Sequence, residues 1–258
     1  MLKTLCELYK YREMLKNMVT KELRQRYKGS VLGFLWTFLN PLLMLVIYSI
    51  VFSTIMRIDI ENYSMFLFVG LLPWMFFSTS VLISTGSIVN NGNLIKKIYF
   101  PREILPISVA ITGLVNFLLS LIILVPALLF FKMEITVAIF TLPVIIVLQL
   151  IMVLGFTLFV SSLNVYFRDL EHILGVLMTA WFYVTPIIFP LQMVPTKFLW
   201  LVKLNPVAPL MFAYQDIFYY GVVPKWESLG NVFIFSVASL MIGMLTFGYL
   251  KRNFAEEL

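Results

Sequence analysis

The residues able to do chemistry are few, and they keep to the edges of long apolar runs. None of the thirteen acidic residues lies in the middle of such a run. A carrier driven by protons or sodium needs an ionisable group inside its bundle, because coupling requires a site that changes charge, so the pattern argues against one. It argues equally against an intramembrane hydrolase or transferase built on paired carboxylates. The single histidine, His172, sits beside Glu171 in a polar loop and reads as a surface residue. The only cysteine, Cys6, leaves no partner for an intrachain disulfide. Gly243 and Gly248 have the glycine spacing of a phosphate-binding loop, but Tyr249 follows where a lysine is required. This chain therefore cannot hydrolyse ATP by that route. Nor does it contain H-E-x-x-H, G-x-S-x-G or a zinc-type Cys/His cluster, so no catalytic residue, metal or cofactor is expected in it.

What remains is uncharged polarity and a cluster of bases. Gly33, Thr37, Asn40, Met44 and Tyr48 recur every three to four residues and share one helical face, next to Trp36. Gly175, Thr179, Tyr183 and Pro186 form a second such row. Faces of this kind suit a substrate pathway, with aromatic rings meeting the C–H faces of sugars and hydroxyls meeting hydroxyls. They suit helix packing equally well, since small and hydroxylated residues let membrane helices approach one another.

Composition determines what must position these residues. The chain has 258 residues, 61% of them hydrophobic and 12% charged, against about 25% charged in soluble domains. It is an integral membrane protein. Breaking the sequence at every charged residue leaves uncharged runs at 31–56, 62–95, 104–131, 135–167, 173–196 and 228–250. Each exceeds the roughly 20 residues a helix needs to cross about 30 Å of hydrocarbon. The sequence thus predicts an all-α membrane domain of six transmembrane helices, at about 31–56, 65–89, 104–131, 135–163, 173–190 and 228–250, with no second domain.

Orientation follows from the junction at Ser30, where Lys16, Lys21, Arg24, Arg26 and Lys28 run straight into the first apolar segment. Bases remain on the cytoplasmic side, so the first span reads as an uncleaved signal-anchor and the N-terminus is inside. Six spans then put both termini in the cytoplasm. On that arrangement fourteen of the nineteen bases fall on inner segments and five on outer ones, in line with the positive-inside rule. The formal charge of +6 is explained by orientation and by contacts to anionic headgroups rather than by nucleic acid. Residues 2–27 predict an amphipathic helix in the headgroup plane. Two inner loops, 90–106 and 164–173, mix aromatic and charged residues, as a segment docking onto another protein requires. They read equally well as tight turns carrying orientation charges. Residues 190–227 are apolar and aromatic but interrupted by Pro195, Pro206, Pro209, Asp216, Gly221 and Pro224. Re-entrant or interfacial half-helices are the expected form. A seventh span over 204–223 is the competing reading, and it would put Lys251 and Arg252 outside.

The stretches KELRQRYKGSVLGFLWTFLNPLL (21–43), NLIKKIYFPREILPIS (93–108), NVYFRDLEHIL (164–174), YVTPIIFP (183–190) and LNPVAPLMFAYQDIFYYG (204–221) resemble the permease subunits of ABC exporters for O-antigen, teichoic acid, capsular and related cell-surface polysaccharides. The resemblance covers nearly the whole chain in order. It implies a homodimer in the bacterial inner or plasma membrane, joined to two copies of a separate ATPase subunit that holds ATP and Mg. It also implies that a lipid-linked glycan, on undecaprenyl pyrophosphate, moves outward between the two permeases. Under it, Asn93, Leu94, Ile95, Lys96, Lys97, Ile98, Tyr99, Phe100, Pro101 and Arg102 look like a first coupling helix against the ATPase, and Tyr166, Phe167, Arg168, Asp169 and Glu171 like a second. Trp36, Thr37, Asn40, Met44, Tyr48, Thr179 and Tyr183 become pathway residues. Pro195, Asn205, Pro206, Pro209, Tyr214 and Asp216 belong to an outer gate. Arg24, Arg26 and Lys28 stand where a pyrophosphate would enter, and bases form charge-assisted bonds to phosphate oxygens. An ABC exporter of a drug or lipid and a non-transporting scaffold for glycan synthesis are the competing functions. Removing the charge of Arg24, Arg26 and Lys28 together is expected to lower glycan export while topology mapping shows an unchanged orientation; unchanged export would leave these bases as orientation signals alone.

Overall fold

The computed structural model describes residues 7, 9–27, 30, 32–51 and 60–257, and within that set every regular element is a helix. In chain order these are α1 (Arg12–Tyr27), α2 (Trp36–Tyr48), α3 (Tyr63–Thr85), α4 (Gly92–Lys97), α5 (Ile104–Phe130), α6 (Leu142–Asn164), α7 (Leu170–Val184), α8 (Leu199–Leu204), α9 (Ala208–Phe218), α10 (Trp226–Leu250) and α11 (Phe254–Glu257). Four helical stretches, Tyr63–Thr85, Ile104–Phe130, Val137–Asn164 and Trp226–Asn253, are long and apolar enough to cross a membrane. Two further apolar helices, Trp36–Val51 and Leu170–Val184, are shorter than the expected spans at 31–56 and 173–190. Residues 31 and 52–56 of the first expected span lie outside the described residues.

Local chemistry explains where the helices stop. Pro186 disfavours the helical region for the residue before it, and Thr185 is accordingly extended, with ψ 134°, ending α7 at Val184. The helix expected over 65–89 ends at Thr85, capped by Gly86. The Ser84 and Thr85 hydroxyls donate back to the Val81 carbonyl (both 2.9 Å), and Ser87 donates to Ser84 O (2.7 Å). Side-chain bonds of this kind offer the backbone an alternative to a further helical turn. Pro143 in the first turn of α6 and Pro209 in that of α9 occupy positions whose N–H groups have no helical partner, where proline is tolerated.

The six apolar helices alternate in direction. One end of the bundle gathers Ile88, Phe100, Ile104, Leu158, Phe247 and Phe254 into a buried cluster, and Tyr11, Met14, Leu15 and Met18 of the N-terminal segment pack on it. The first and last helical segments therefore meet at one end, which also carries Lys96, Lys97, Arg102, Arg168, Lys251 and Arg252. Met14, Leu15 and Met18 on the apolar side of α1 rest on this protein surface, whereas the sequence pattern was read as a helix facing the headgroups. The opposite end gathers Tyr63, Phe66, Leu67 and Ile188.

The most enclosed helix is α3: 72% of its apolar window is buried, against 22–33% for the other three long helices. Around it Trp74, Phe77, Phe156 and Trp181 interlock, with Phe77 edge-on to Phe156 at 5.2 Å and to Trp181 at 5.3 Å. Edge-to-face ring pairs contribute about 0.5–1.5 kcal/mol beyond the area they bury. The closest helix contact joins α6 and α10 at Gly155 and Gly243. A Cβ on Gly243 would come within 2.1 Å of the Gly155 carbonyl oxygen, and one on Gly155 within 2.3 Å of the Ser239 carbonyl carbon. Backbone against backbone cannot give way as a side chain can. Gly155→Ala and Gly243→Ala are therefore each expected to destabilise the bundle by about 2–4 kcal/mol, read as a lowered unfolding midpoint in detergent. Gly248→Ala, which meets open space on α10, should leave that midpoint unchanged or slightly raised.

Candidate functional site: clamped basic loops and a polar cavity

Two arrangements bring chemistry-bearing residues together. The first lies at the basic end, where both loops expected to dock a partner are hooked to the end of α10. Arg102 Nη1 donates to the Lys251 carbonyl oxygen, and the Lys251 ammonium pairs with Glu103 Oε1 at 2.6 Å. Tyr166 OH, from the other loop, donates to Leu250 O at 2.9 Å. The Phe254 ring closes the arrangement, with the Arg102 guanidinium 5.7 Å from its centroid and Phe247 edge-on at 5.5 Å. Cations near a helix C-terminus are favoured by the partial negative charge of its free carbonyls. Here the Arg102 guanidinium from a distant loop supplies that charge to α10.

This clamp sorts the residues of the first loop. Ile95 and Phe100 point into the buried cluster and Leu94 packs at its edge. Pro101 and Arg102 are half-buried, whereas Asn93, Lys96 and Lys97 are exposed. Ile98 is 55% and Tyr99 88% exposed. The expected first coupling helix is shorter than the stretch 93–102: α4 ends at Lys97 and Ile98 is extended. The second expected coupling helix is a turn leading into α7, with Tyr166 half-buried, Phe167 67% exposed, and Arg168, Asp169 and Glu171 at the surface. Three large apolar side chains thus stand in water at the basic end, each on backbone held by the clamp or the cluster beneath it.

The second arrangement is a cavity of about 360 Å³ between α2, α3 and α5. Trp36, Thr37 and Asn40, three of the expected pathway residues, line it, together with Thr79, Asn116 and Ser120, which no sequence pattern singled out. The rest of the expected pathway is elsewhere. Met44 is exposed further along α2, and Tyr48 packs with the cluster at the opposite end. Thr179 is exposed, its hydroxyl bonded to its own helix at Gly175 O (3.0 Å). Tyr183 lines a separate apolar groove of about 290 Å³ with Pro195, Phe198 and Val202. The helical row read from the sequence is therefore divided among three surfaces. Asn116 is a polar residue in the middle of an uncharged run, a signal that adds to Trp36, Thr37 and Asn40 in pointing to this cavity.

The stretch expected as an outer gate is held by buried polar bonds. Asn205 Oδ1 accepts from Trp181 Nε1 (2.9 Å) and from the Val207 N–H (3.0 Å), while its Nδ2 donates to Thr185 Oγ1 (2.9 Å). Tyr214 OH donates to Gln149 Oε1 (2.6 Å), and Gln149 Nε2 donates to Pro73 O (2.8 Å). Gln215 Nε2 donates to Pro186 O at 3.0 Å. Pro206 and Pro209 frame the turn into α9. Tyr214 is fully buried and Asp216 partly so. Of the expected pyrophosphate entrance, Arg24 is exposed on α1; Lys28 and the side chain of Arg26 lie outside the described residues.

A helical bundle of long apolar spans with basic loops at one end defines a multi-pass membrane protein, and its sequence relationships say of which kind. Residues 13–219 match the ABC-2 type transporter family, to which this chain belongs. It is 40% identical over 260 residues, covering both chains in full, to the O-antigen export system permease protein RfbA of Myxococcus xanthus. It is 34% identical to the protein of the same name from Klebsiella pneumoniae, over 95% of each chain. The polysialic acid transport protein KpsM of Escherichia coli is 25% identical, over 87% of this chain and 88% of its own.

The clamp predicts a specific stability pattern. Lys251→Met strands the buried Glu103 carboxylate, whereas Arg252→Met removes an exposed charge. Because Lys251 is itself partly in water, the expected difference is on the order of 1 kcal/mol, read as a lower unfolding midpoint for Lys251→Met alone. The exchange Glu103→Lys with Lys251→Glu should recover part of that loss.

Proposed function

We propose that this chain is the channel-forming permease subunit of an ATP-driven exporter that moves a lipid-linked cell-surface polysaccharide of the O-antigen type outward across the bacterial inner membrane. The similarity to O-antigen export permeases over the full length of both chains carries this reading. The weaker similarity to a polysialic acid transport protein supports polysaccharide over a drug or simple lipid. Motifs for nucleotide hydrolysis are missing from the sequence, so the drive is assigned to a separate ABC ATPase, present in two copies beside a permease homodimer.

The six apolar helices are read as six spans, with both termini at the cytoplasmic face. The two short ones are the first and the fifth. The stretch from Thr185 to Phe218 is read as a re-entrant outer gate. Ile187 packs against Gly70, eight residues into α3, and the Tyr214 hydroxyl reaches Gln149, eight residues into α6. At 1.5 Å per residue these contacts lie roughly 10 Å below the outer helix ends. Irregular backbone at such depth is tolerated where protein encloses it. The ATPase is assigned to the basic end, where Ile98, Tyr99 and Phe167 offer apolar surface on a firmly held frame.

Reconstitution of the chain with an ABC ATPase and lipid-linked glycan in vesicles tests the function: glycan should become accessible on the far side only when ATP and both proteins are present. Ile98→Asp or Tyr99→Asp should lower ATPase co-purification and export at least about tenfold without changing the unfolding midpoint. Phe100→Asp should instead lower the midpoint, because Phe100 is buried in the cluster. Transport by the isolated chain with no nucleotidase present would contradict the reading.

A further inference from the structure

At the end of the bundle away from the clamp, an apolar groove of about 290 Å³ runs between the end of α7 and the stretch leading through α8. Tyr183, Phe189, Val194, Phe198 and Val202 line it, and no lining residue is charged. Its walls are fixed in place. Asn205, just after α8, binds both Trp181 and Thr185 at the end of α7. Pro190 and Pro195, whose φ angles are locked by their rings, carry the connecting backbone in an extended conformation. A preformed apolar furrow near the lower end of ligand-pocket volumes, about 300–1,000 Å³, suits a single hydrocarbon chain.

One cation stands at its mouth. The Lys197 ammonium lies 4.9 Å from the centroid of the Phe198 ring, which forms part of the wall. Lys197, Trp200 and Lys203 follow at three-residue intervals and are all exposed, while Val202 turns inward. Neither lysine forms an ion pair among the described residues, and no Asp or Glu occurs between Glu171 and Asp216. Orientation does not explain these two bases, because the positive-inside bias is carried by the opposite end. Trp and Lys on one exposed face beside apolar surface are the pattern of a segment at headgroup level.

The charges select among headgroups. A phosphodiester with no cation of its own, as in phosphatidylglycerol, is complemented by the Lys197 ammonium. Phosphatidylethanolamine brings an ammonium, for which this acid-free stretch offers no carboxylate. A pyrophosphate holds more negative charge than one ammonium balances. We propose that the groove between α7 and α8 is a binding site for an anionic membrane phospholipid, with one acyl chain in the groove and the phosphate against Lys197. The export reading is used only to assign the leaflet as the outer one. An aromatic belt without such a site would hold lipid with no headgroup preference.

The test uses the full-length chain with Cys6→Ser and Thr196→Cys, a fluorophore on the new thiol beside the groove mouth, in phosphatidylcholine nanodiscs. Phospholipids carrying a nitroxide on the acyl chain replace part of the bilayer, and quenching is compared at equal mole fraction. Phosphatidylglycerol is expected to occupy the site about fivefold more strongly than phosphatidylcholine or phosphatidylethanolamine, the preference one lysine gives for anionic lipid. Lys197→Gln should reduce that preference below about twofold without moving the unfolding midpoint, because Lys197 is exposed. Lys225→Gln, at the same end but outside the groove lining, should retain it. Val194→Trp should fill the groove and lower quenching by every headgroup; should that variant fail to assemble, the comparison of Lys197→Gln with Lys225→Gln decides. Equal quenching by all three lipids, a preference that survives Lys197→Gln, or one lost equally with Lys225→Gln would overturn the site, as would unchanged quenching in Val194→Trp. Unlabelled undecaprenyl phosphate that displaced the nitroxide lipid better than unlabelled phosphatidylglycerol would also overturn it, assigning the groove to a polyprenyl carrier. None of these readouts needs ATP, an ATPase or transport, so a failure here is separable from a failure of the export reading.

Discussion

Where water is excluded, a polar group left without a partner is costly, and this constraint shapes the bundle from end to end. Backbone amides meet it by forming helices. Side chains meet it one at a time: Gln149 joins Pro73 to Tyr214, and Asn205 binds Trp181, Thr185 and Val207 at once. Each partnership links segments that apolar packing alone would leave free to slide, because dispersion contacts have little directional preference. The interrupted stretch after α7 is therefore held in one position although it has little regular structure of its own.

The basic end applies the same rule to charge. Glu103 is buried and ionisable, so it needs the Lys251 ammonium, and the carbonyl of Lys251 is in turn occupied by Arg102. A short polar chain thus runs from the first loop to the end of the last long helix. Tyr166 and Phe254 extend it to the second loop. Displacement of either loop is bound to be felt at α10, which is itself fused to α6 through the Gly155–Gly243 contact. A path of this kind joins both loops to the long helices of the bundle.

Asn116 belongs to a small group of buried polar side chains without a partner among the described residues, with Ser80, Thr112, Ser236 and the Asn164 Oδ1. Most polar groups around it are satisfied by their own helices, as Thr79 and Ser120 are. Which hydroxyls and amides find a partner is a distinction that residue type and spacing do not make.

The sequence alone determined the class: an all-helical membrane protein, most of its bases on one side, with aromatic and charged connections at 90–106 and 164–173 and no phosphate-binding-loop motif of its own. These properties are local or additive along the chain; the end of α7 at Val184, two residues before Pro186, is equally local, although the span expected from the sequence ran on to 190. Tertiary structure decided which side chains meet. It turned Phe100 inward and left Tyr99 in water, one residue apart; it divided the row from Trp36 to Tyr48 between a cavity and other surfaces; and it joined Arg102 to Lys251 across 149 positions. Helical periodicity assigns residues to a face, but the neighbour that covers the face comes from a distant part of the chain, and spacing within one helix carries no information about which neighbour that is.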